Sequence, residues 1–447
     1  MEATAHRRRL VSLAFPVYGE LMAGVAAGII NTVWVARLDG DAVAAVAVAT
    51  NVENMLLGVA LMAGSGATVL LARARGAGEP GAVRAAVRGG WALWALLAPA
   101  VAIGTFLGRE PIARLVLGAD AGAALPLAVG YFSIALPGIA VLFATHVVDG
   151  ILKGAGDTRT PMRLALLANG LVLVLDPLLI LGCGLGVRGA ALATVLGRSA
   201  ALARGLVVLR RIPALSAPVP RTAGAVPYAW TTDLRRTVRT GLPLSADFVT
   251  RMGGALALVA VVARIGVAEV AAYGIATKAM YGATMAFYAV RQAAAIHTAR
   301  LLGAGRDERG AVGRAALRVA AVLGAGGSLV LFAAAPWIMA AFGAHGAVAS
   351  AGVLQLRCLG PYLTLLACFI AWGGVVEGGG GSARLVGITG CGVVLQLGLA
   401  HALSGLGLPG ICLAMALAMG VQCAALARLQ WRIGGQRVVD GSPARVG

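Results

Sequence analysis

The chain has 447 residues, 59% hydrophobic and only 12% charged, with a formal net charge of +19. A soluble chain is about 45–50% apolar and about 25% charged, so this composition excludes an ordinary soluble protein. The basic residues, nearly all Arg, lie between apolar blocks and not along one polar face, which sets aside nucleic-acid binding as their meaning.

Blocks long enough to cross about 30 Å of hydrocarbon predict about twelve membrane-spanning helices. The first six cover residues 11–36, 43–72, 88–107, 125–152, 162–182 and 188–209. The second six cover 240–263, 270–300, 315–341, 351–376, 385–404 and 410–429. The basic start His6-Arg7-Arg8-Arg9 runs into an apolar stretch continuing past Trp34. That is longer than the roughly 7–15 residues of a signal-peptide core, so no cleavable signal is expected. The six Cys fall in or beside apolar blocks without metal-ligand spacing, which argues for small core residues over disulfides or zinc.

Charged groups at membrane depth are costly and are therefore candidates for function. In the first span Glu20 follows Pro16 by four residues, inside the block; it could take a proton or make a helix-packing hydrogen bond. Glu53 lies about 15 Å from the nearer end of the second span. Asp149, with His146 one turn before, falls near the end of the fourth span and reads as interfacial. Asp176 in LVLVLDPLLIL stands mid-block in the fifth, with Asn169 seven residues earlier on nearly the same helix face. In the seventh span Asp247 and Arg251 are spaced i,i+4. They read as an intrahelical ion pair, or as a pair that releases one partner to substrate or ion. Lys278, Arg291 and Gln292 of the eighth are further candidates for a substrate cavity.

Basic residues alternate between connections. They crowd the N-terminus, the second-to-third connection, the fourth-to-fifth (Lys153, Arg159, Arg163), the middle segment and the eighth-to-ninth, and thin out between. The positive-inside rule then puts both termini and the middle segment in the cytoplasm, in a multi-pass plasma-membrane protein. Pro and small residues over 212–234 mark a linker. The expected organisation is an N-terminal six-helix bundle (1–211), the linker, a C-terminal six-helix bundle (235–432) and a cytoplasmic tail (433–447).

The halves match each other. Pro16 faces Pro243, a shift of 243 − 16 = 227, and at this shift ARLDGDAVAAVAVAT (36–50) lies on ARIGVAEVAAYGIAT (263–277) and ARARGAG (72–78) on ARLLGAG (299–305). Later the shift becomes 224, GILKGAGDT (150–158) on GVVEGGGGS (374–382), and then 221, GVRGAALA (186–193) on GLPGICLA (407–414). An even number of helices per copy makes this a parallel repeat, related by an axis along the membrane normal. Such halves enclose a cavity that rocking exposes to alternate sides.

GILKGAGDTRTP (150–161), LDPLLI (175–180), GVRGAALAT (186–194) and the paired RxxGAG helix ends resemble the multidrug and toxic compound extrusion (MATE) family, over about residues 10–430. The resemblance implies efflux of organic, often cationic, compounds against inward proton or sodium flow, without a cofactor. It also implies that Asp176 is the fifth-helix acid that binds the coupling cation and that Asn169 is its family partner. The chain departs from the family in two places. Asn31 occupies the place of a first-helix acid and cannot carry a proton, and Val172 replaces a second Asn of the fifth helix. Coupling could then move to Glu20, Glu53 or Asp247, or be lost.

Other readings are set aside. Gly76-Ala-Gly78-Glu-Pro-Gly81 has dinucleotide-motif lettering but follows no strand, and the chain contains no Walker A, HExxH or GxSxG sequence, so an enzyme is not expected. A cation-coupled exporter of organic molecules, working as a monomer in the lipid bilayer without nucleic acid, is the leading expectation. A lipid-linked precursor flippase of related architecture, using Arg251, Lys278 and Arg291, is the alternative.

Overall fold

The computed structural model describes residues 2–118, 122–212 and 230–440, with side chains described from 4 to 429 within these. The helices are α1 (Glu2–Val35), α2 (Gly40–Ala77), α3 (Pro80–Leu107), α4 (Arg109–Leu117), α5 (Ala124–Gly154), α6 (Arg159–Pro177) and α7 (Val187–Arg210). Then follow α8 (Trp230–Val262), α9 (Val267–Gly303), α10 (Arg309–Ala341), α11 (Gly346–Cys358), α12 (Gly360–Gly378), α13 (Ser382–Ala402) and α14 (Gly407–Asp440). No strand occurs among the described residues. Eleven helices are long and apolar enough to cross a membrane. At 37 residues, α9 is about 55 Å long and exceeds the hydrocarbon thickness as well. The protein is an all-α, multi-pass membrane protein.

Four features depart from the sequence reading. The short helix α4, rich in charge at its start, was not foreseen. The predicted tenth span is divided at Leu359 into α11 and α12, where Pro361 sits in the first turn of α12. Proline lacks the N–H that would continue the ladder, so it favours a helix start. Its repeat mate Pro137 (361 − 137 = 224) lies inside the unbroken α5. Helix α14 continues to Asp440, past the expected start of the tail. Of the expected linker, 213–229 lie outside the described residues, and α8 already begins at Trp230.

The chain forms two compact units. One comprises Phe15–Ala246 with Ala299–Arg306, the other Met1–Ala14 with Asp247–Thr298 and Asp307–Gly447. In the first, α2 packs on α3 and α5, and α7 on α5 and α6. Its core joins Val46, Ala49 and Val52 of α2 to Phe132, Leu136, Ile139 and Phe143 of α5 and Ala190 and Ala191 of α7. In the second, α10 packs on α12, and α14 on α12 and α13.

Lipid tails are as apolar as Leu, so helix association in a bilayer depends on close packing. Glycine supplies it. A Cβ on Gly150 of α5 would run into the carbonyl of Gly64 in α2, and one on Gly64 would lie 2.6 Å from the His146 oxygen. Thr68 Oγ1 closes the same crossing by donating to the Gly150 carbonyl at 3.0 Å. In the second unit Gly374 of α12 meets the backbone of Arg291 in α9 in the same way. The mates agree with the sequence registers: 374 − 150 = 224 and 291 − 64 = 227. The repeat is therefore a repeat of backbone contacts.

Candidate functional site

Asp176 closes α6. Pro177 follows, and the next turn, Leu178–Gly182, is π-helical. Proline removes one ladder hydrogen bond, and the wide turn that results is a common device where a helix carries a functional side chain. Glycines hold α7 against this break: Gly189 abuts the backbone of Leu179 and Ile180, and Gly197 abuts Ala168. Asp176 is 0% exposed. Its Oδ2 accepts from Asn31 Nδ2 of α1 at 3.0 Å, and its Oδ1 has no partner among the described residues. Asn31, in the place of a first-helix acid, therefore meets Asp176 as an amide donor and not as a second carboxylate. Asn169 is half-buried two turns earlier on α6 and bonds neither Asp176 nor Asn31 among the described residues.

Beside this pair lies a second polar group in the same unit. Glu53 of α2 accepts from Arg198 Nη1 of α7 at 3.2 Å and from the Tyr131 hydroxyl of α5 at 3.2 Å. Asp176 also acts electrostatically on Tyr131, which links the two groups. A third pair sits nearer the start of α1: Lys153 Nζ donates to Glu20 Oε1 at 2.7 Å, with side-chain exposures of 10% and 13%. Glu20 Oε2 is buried without a partner among the described residues. Asp149 lies within electrostatic range of both Glu20 and Lys153.

The second unit holds one larger network. Asp247 of α8 accepts from Arg251 at 3.1 and 3.2 Å, from Arg291 of α9 at 2.9 Å and from Thr389 of α13 at 2.6 Å. Arg291 Nε also donates to Glu377 of α12 at 3.0 Å. The Arg251 guanidinium lies 5.0 Å from the centre of the Phe369 ring, in cation–π range. Two acids meet two guanidiniums, so the network is electrically closed. Of the other cavity candidates, Lys278 is exposed and Gln292 half-buried, and neither enters the network.

The i,i+4 pair of Asp247 and Arg251 thus forms, and Arg291 joins it. Lys153 was taken for a charge of the cytoplasmic connection, whereas α5 extends to Gly154 and buries it against Glu20. Tyr131, Arg198, Glu377 and Thr389 were missed. Two signals could have found the charged ones. Arg198 lies inside a predicted span, where any charge is a candidate. Glu377 is the repeat mate of Lys153 (377 − 153 = 224), with the opposite sign. No group of three or more His, Cys, Asp or Glu able to hold a metal occurs among the described residues, and all six Cys are free thiols.

The MatE family model matches the chain twice, over residues 16–178 and 243–401, each match opening on the helix proline of one repeat. The chain belongs to the MATE family. Against the "Probable multidrug resistance protein NorM" of Thermotoga maritima this MATE chain is 29% identical over 249 residues, 54% of its own length and 51% of the relative's. Against the "FAD transporter" of Shewanella oneidensis it is 30% identical over 193 residues, 42% of either chain. It spans about half the length of the relatives it matches in sequence. The fold likeness is complete: an outward-facing MATE-family transporter of the MOP superfamily superposes with a TM-score of 0.87 at 22% identity, over 96% of both chains.

Proposed function

We propose that this MATE chain is a secondary active efflux transporter. It exchanges an organic small molecule, lipophilic or cationic, for an inward-moving proton or sodium ion by alternating access, as a monomer with both termini in the cytoplasm. Asp176 is the coupling carboxylate. The observation that carries this reading is its setting: fully buried, one oxygen bonded to a neutral amide, the other unpartnered. A carboxylate left so is expensive in a low dielectric, and a bound proton or cation removes the cost. Binding and release of that cation then trade stability between the two access states.

Glu20, Glu53 and Asp247 each already hold a basic partner; of these four coupling candidates Asp176 is the one without an ion pair among the described residues. The flippase alternative needs uncommitted basic groups for a pyrophosphate, and of its three candidates Arg251 and Arg291 are committed to Asp247, which leaves Lys278 alone. The names of the multidrug resistance relatives support export.

The test is efflux of a lipophilic fluorescent cation from proteoliposomes under an imposed pH gradient and, separately, a sodium gradient. Wild type is expected to respond to one of them and Asp176→Asn to neither. Transport that survives Asp176→Asn moves coupling elsewhere, Glu20 next. No response of wild type to either gradient overturns antiport.

A further inference from the structure

The paired RxxGAG helix ends have a use that the coupling site leaves unexplained. We propose that they form a two-fold glycine clasp between α2 and α9 that shuts the membrane face on which α1 begins, and that this clasp must part for the transporter to open there.

The contact is reciprocal. A Cβ on Gly76 of α2 would run into the carbonyl oxygen of Arg300 and lie 3.1 Å from Ala304 N; one on Gly303 of α9 would run into the carbonyl oxygen of Arg73 and lie 3.0 Å from Ala77 N. Each partner is the other's repeat mate: 303 − 76, 300 − 73 and 304 − 77 all equal 227. This is the self-complementary contact expected where a two-fold axis passes, here between two repeats of one chain. The second glycine of each motif ends its helix. Gly78 (φ 70°) and Gly305 (φ 75°) adopt the left-handed conformation that L-residues avoid. Their N–H groups return to Arg75 and Leu302, respectively. Within GAG, one glycine lets the backbones touch and the other stops the helix just beyond the touch.

The starts of α1 and α8 supply a second pair of contacts at repeat-mate positions, each within its own unit. Asp233 of α8, though in the second repeat, bonds Arg88 of α3 at 2.9 Å in the first unit. Its mate His6 of α1 (233 − 6 = 227) meets Glu308, just before α10, at 3.0 Å in the second unit. Within the first unit, α2 and α9 end on the face where α8 begins. Contacts made by backbone atoms admit no intermediate spacing once a side chain is inserted, which suits an element with two positions.

The inference rests on the transport reading for its consequence but not for its geometry, and the experiment separates the two. With the six native Cys replaced, Ala77→Cys and Ala304→Cys, both exposed repeat mates at the crossing, are oxidised to a disulfide in proteoliposomes. Oxidation is expected to reduce efflux of the lipophilic cation at least tenfold, and reductant to restore it. Full efflux from the cross-linked protein overturns the clasp as a gate. In the same background Gly76→Leu with Gly303→Leu is expected to reduce cross-linking about tenfold while the protein stays monodisperse. Should that pair fail to fold, Gly303→Ala alone is expected to slow cross-linking severalfold. Unchanged cross-linking in the folded variant overturns the contact itself. If the reduced parent transports nothing, antiport fails, and the cross-linking rates still decide whether the ends meet.

Discussion

Removing Lys153 should cost the protein more than removing Lys153 and Glu20 together. The pair is held at 2.7 Å with little exposure on either side. At an effective dielectric of about 20, the attraction across that distance is about 6 kcal/mol. Desolvating each ion costs several kcal/mol, so the net worth of the intact pair is small. Lys153→Met keeps most of the volume but leaves Glu20 buried with both oxygens unpartnered and Asp149 nearby, an expected loss of about 3–5 kcal/mol. Glu20→Gln with Lys153→Met removes both charges and should return to within about 1 kcal/mol of wild type, a recovery of roughly 2–4 kcal/mol over Lys153→Met alone. The assay is reversible unfolding in mixed micelles, titrated with a denaturing detergent. A loss below about 0.5 kcal/mol for Lys153→Met, within the range of ordinary exposed substitutions, would refute a buried pair holding α1 to α5.

Thr389→Val should destabilise by about 1.5–3 kcal/mol, since it deletes a charge-assisted hydrogen bond to Asp247 and leaves the carboxylate one donor short; the same unfolding titration reads it. Tyr131→Phe, which keeps the ring and deletes only the hydroxyl that donates to Glu53, should cost about 1 kcal/mol, with Arg198 still in place. Asn31→Asp would set a second carboxyl against Asp176, where the amide now lies 3.0 Å away, and should increase the number of cations moved per substrate, read as a steeper dependence of efflux on the imposed gradient. Gly374→Ala should sharply lower the yield of monodisperse protein, because the new methyl has only the Arg291 backbone to meet.

Much of this could be read from the sequence because a bilayer imposes two strong rules. Spans must be apolar along their length, and charges inside them must be accounted for. The helices and the choice of Asp176 as a candidate follow from those rules, and the repeat from the matching registers of the two halves. What was not legible depends on which faces meet. Lys153 and Arg159 look alike as basic residues near a helix end, yet one is buried on Glu20 because α5 runs two residues further than its apolar block. Thr389 and Tyr131 carry no charge, and a lone hydroxyl in an apolar block gives no sign of its partner. Helix α4 was missed because nine residues with Arg109, Glu110 and Arg114 have neither the length nor the composition of a span. The division at Leu359 escaped notice because Pro361 and Pro137 look equivalent, and only tertiary context breaks one helix and leaves the other whole.

The polar groups of the two units differ in electrical balance, and this bears on how a voltage reaches them. The Asp247 network closes on itself, two acids against two guanidiniums, and carries no net charge to be pulled across a field. Asp176 with Asn31 carries one negative charge when empty and none when a monovalent cation is bound. A charge carried across the whole membrane potential gains or loses about 2.3 kcal/mol per 100 mV. On the proposed reading of Asp176 as the coupling carboxylate, the potential acts on the empty carrier through Asp176 and is nearly blind to this site once a cation is bound. A single amide in place of a carboxylate would then decide which half of the cycle is electrical.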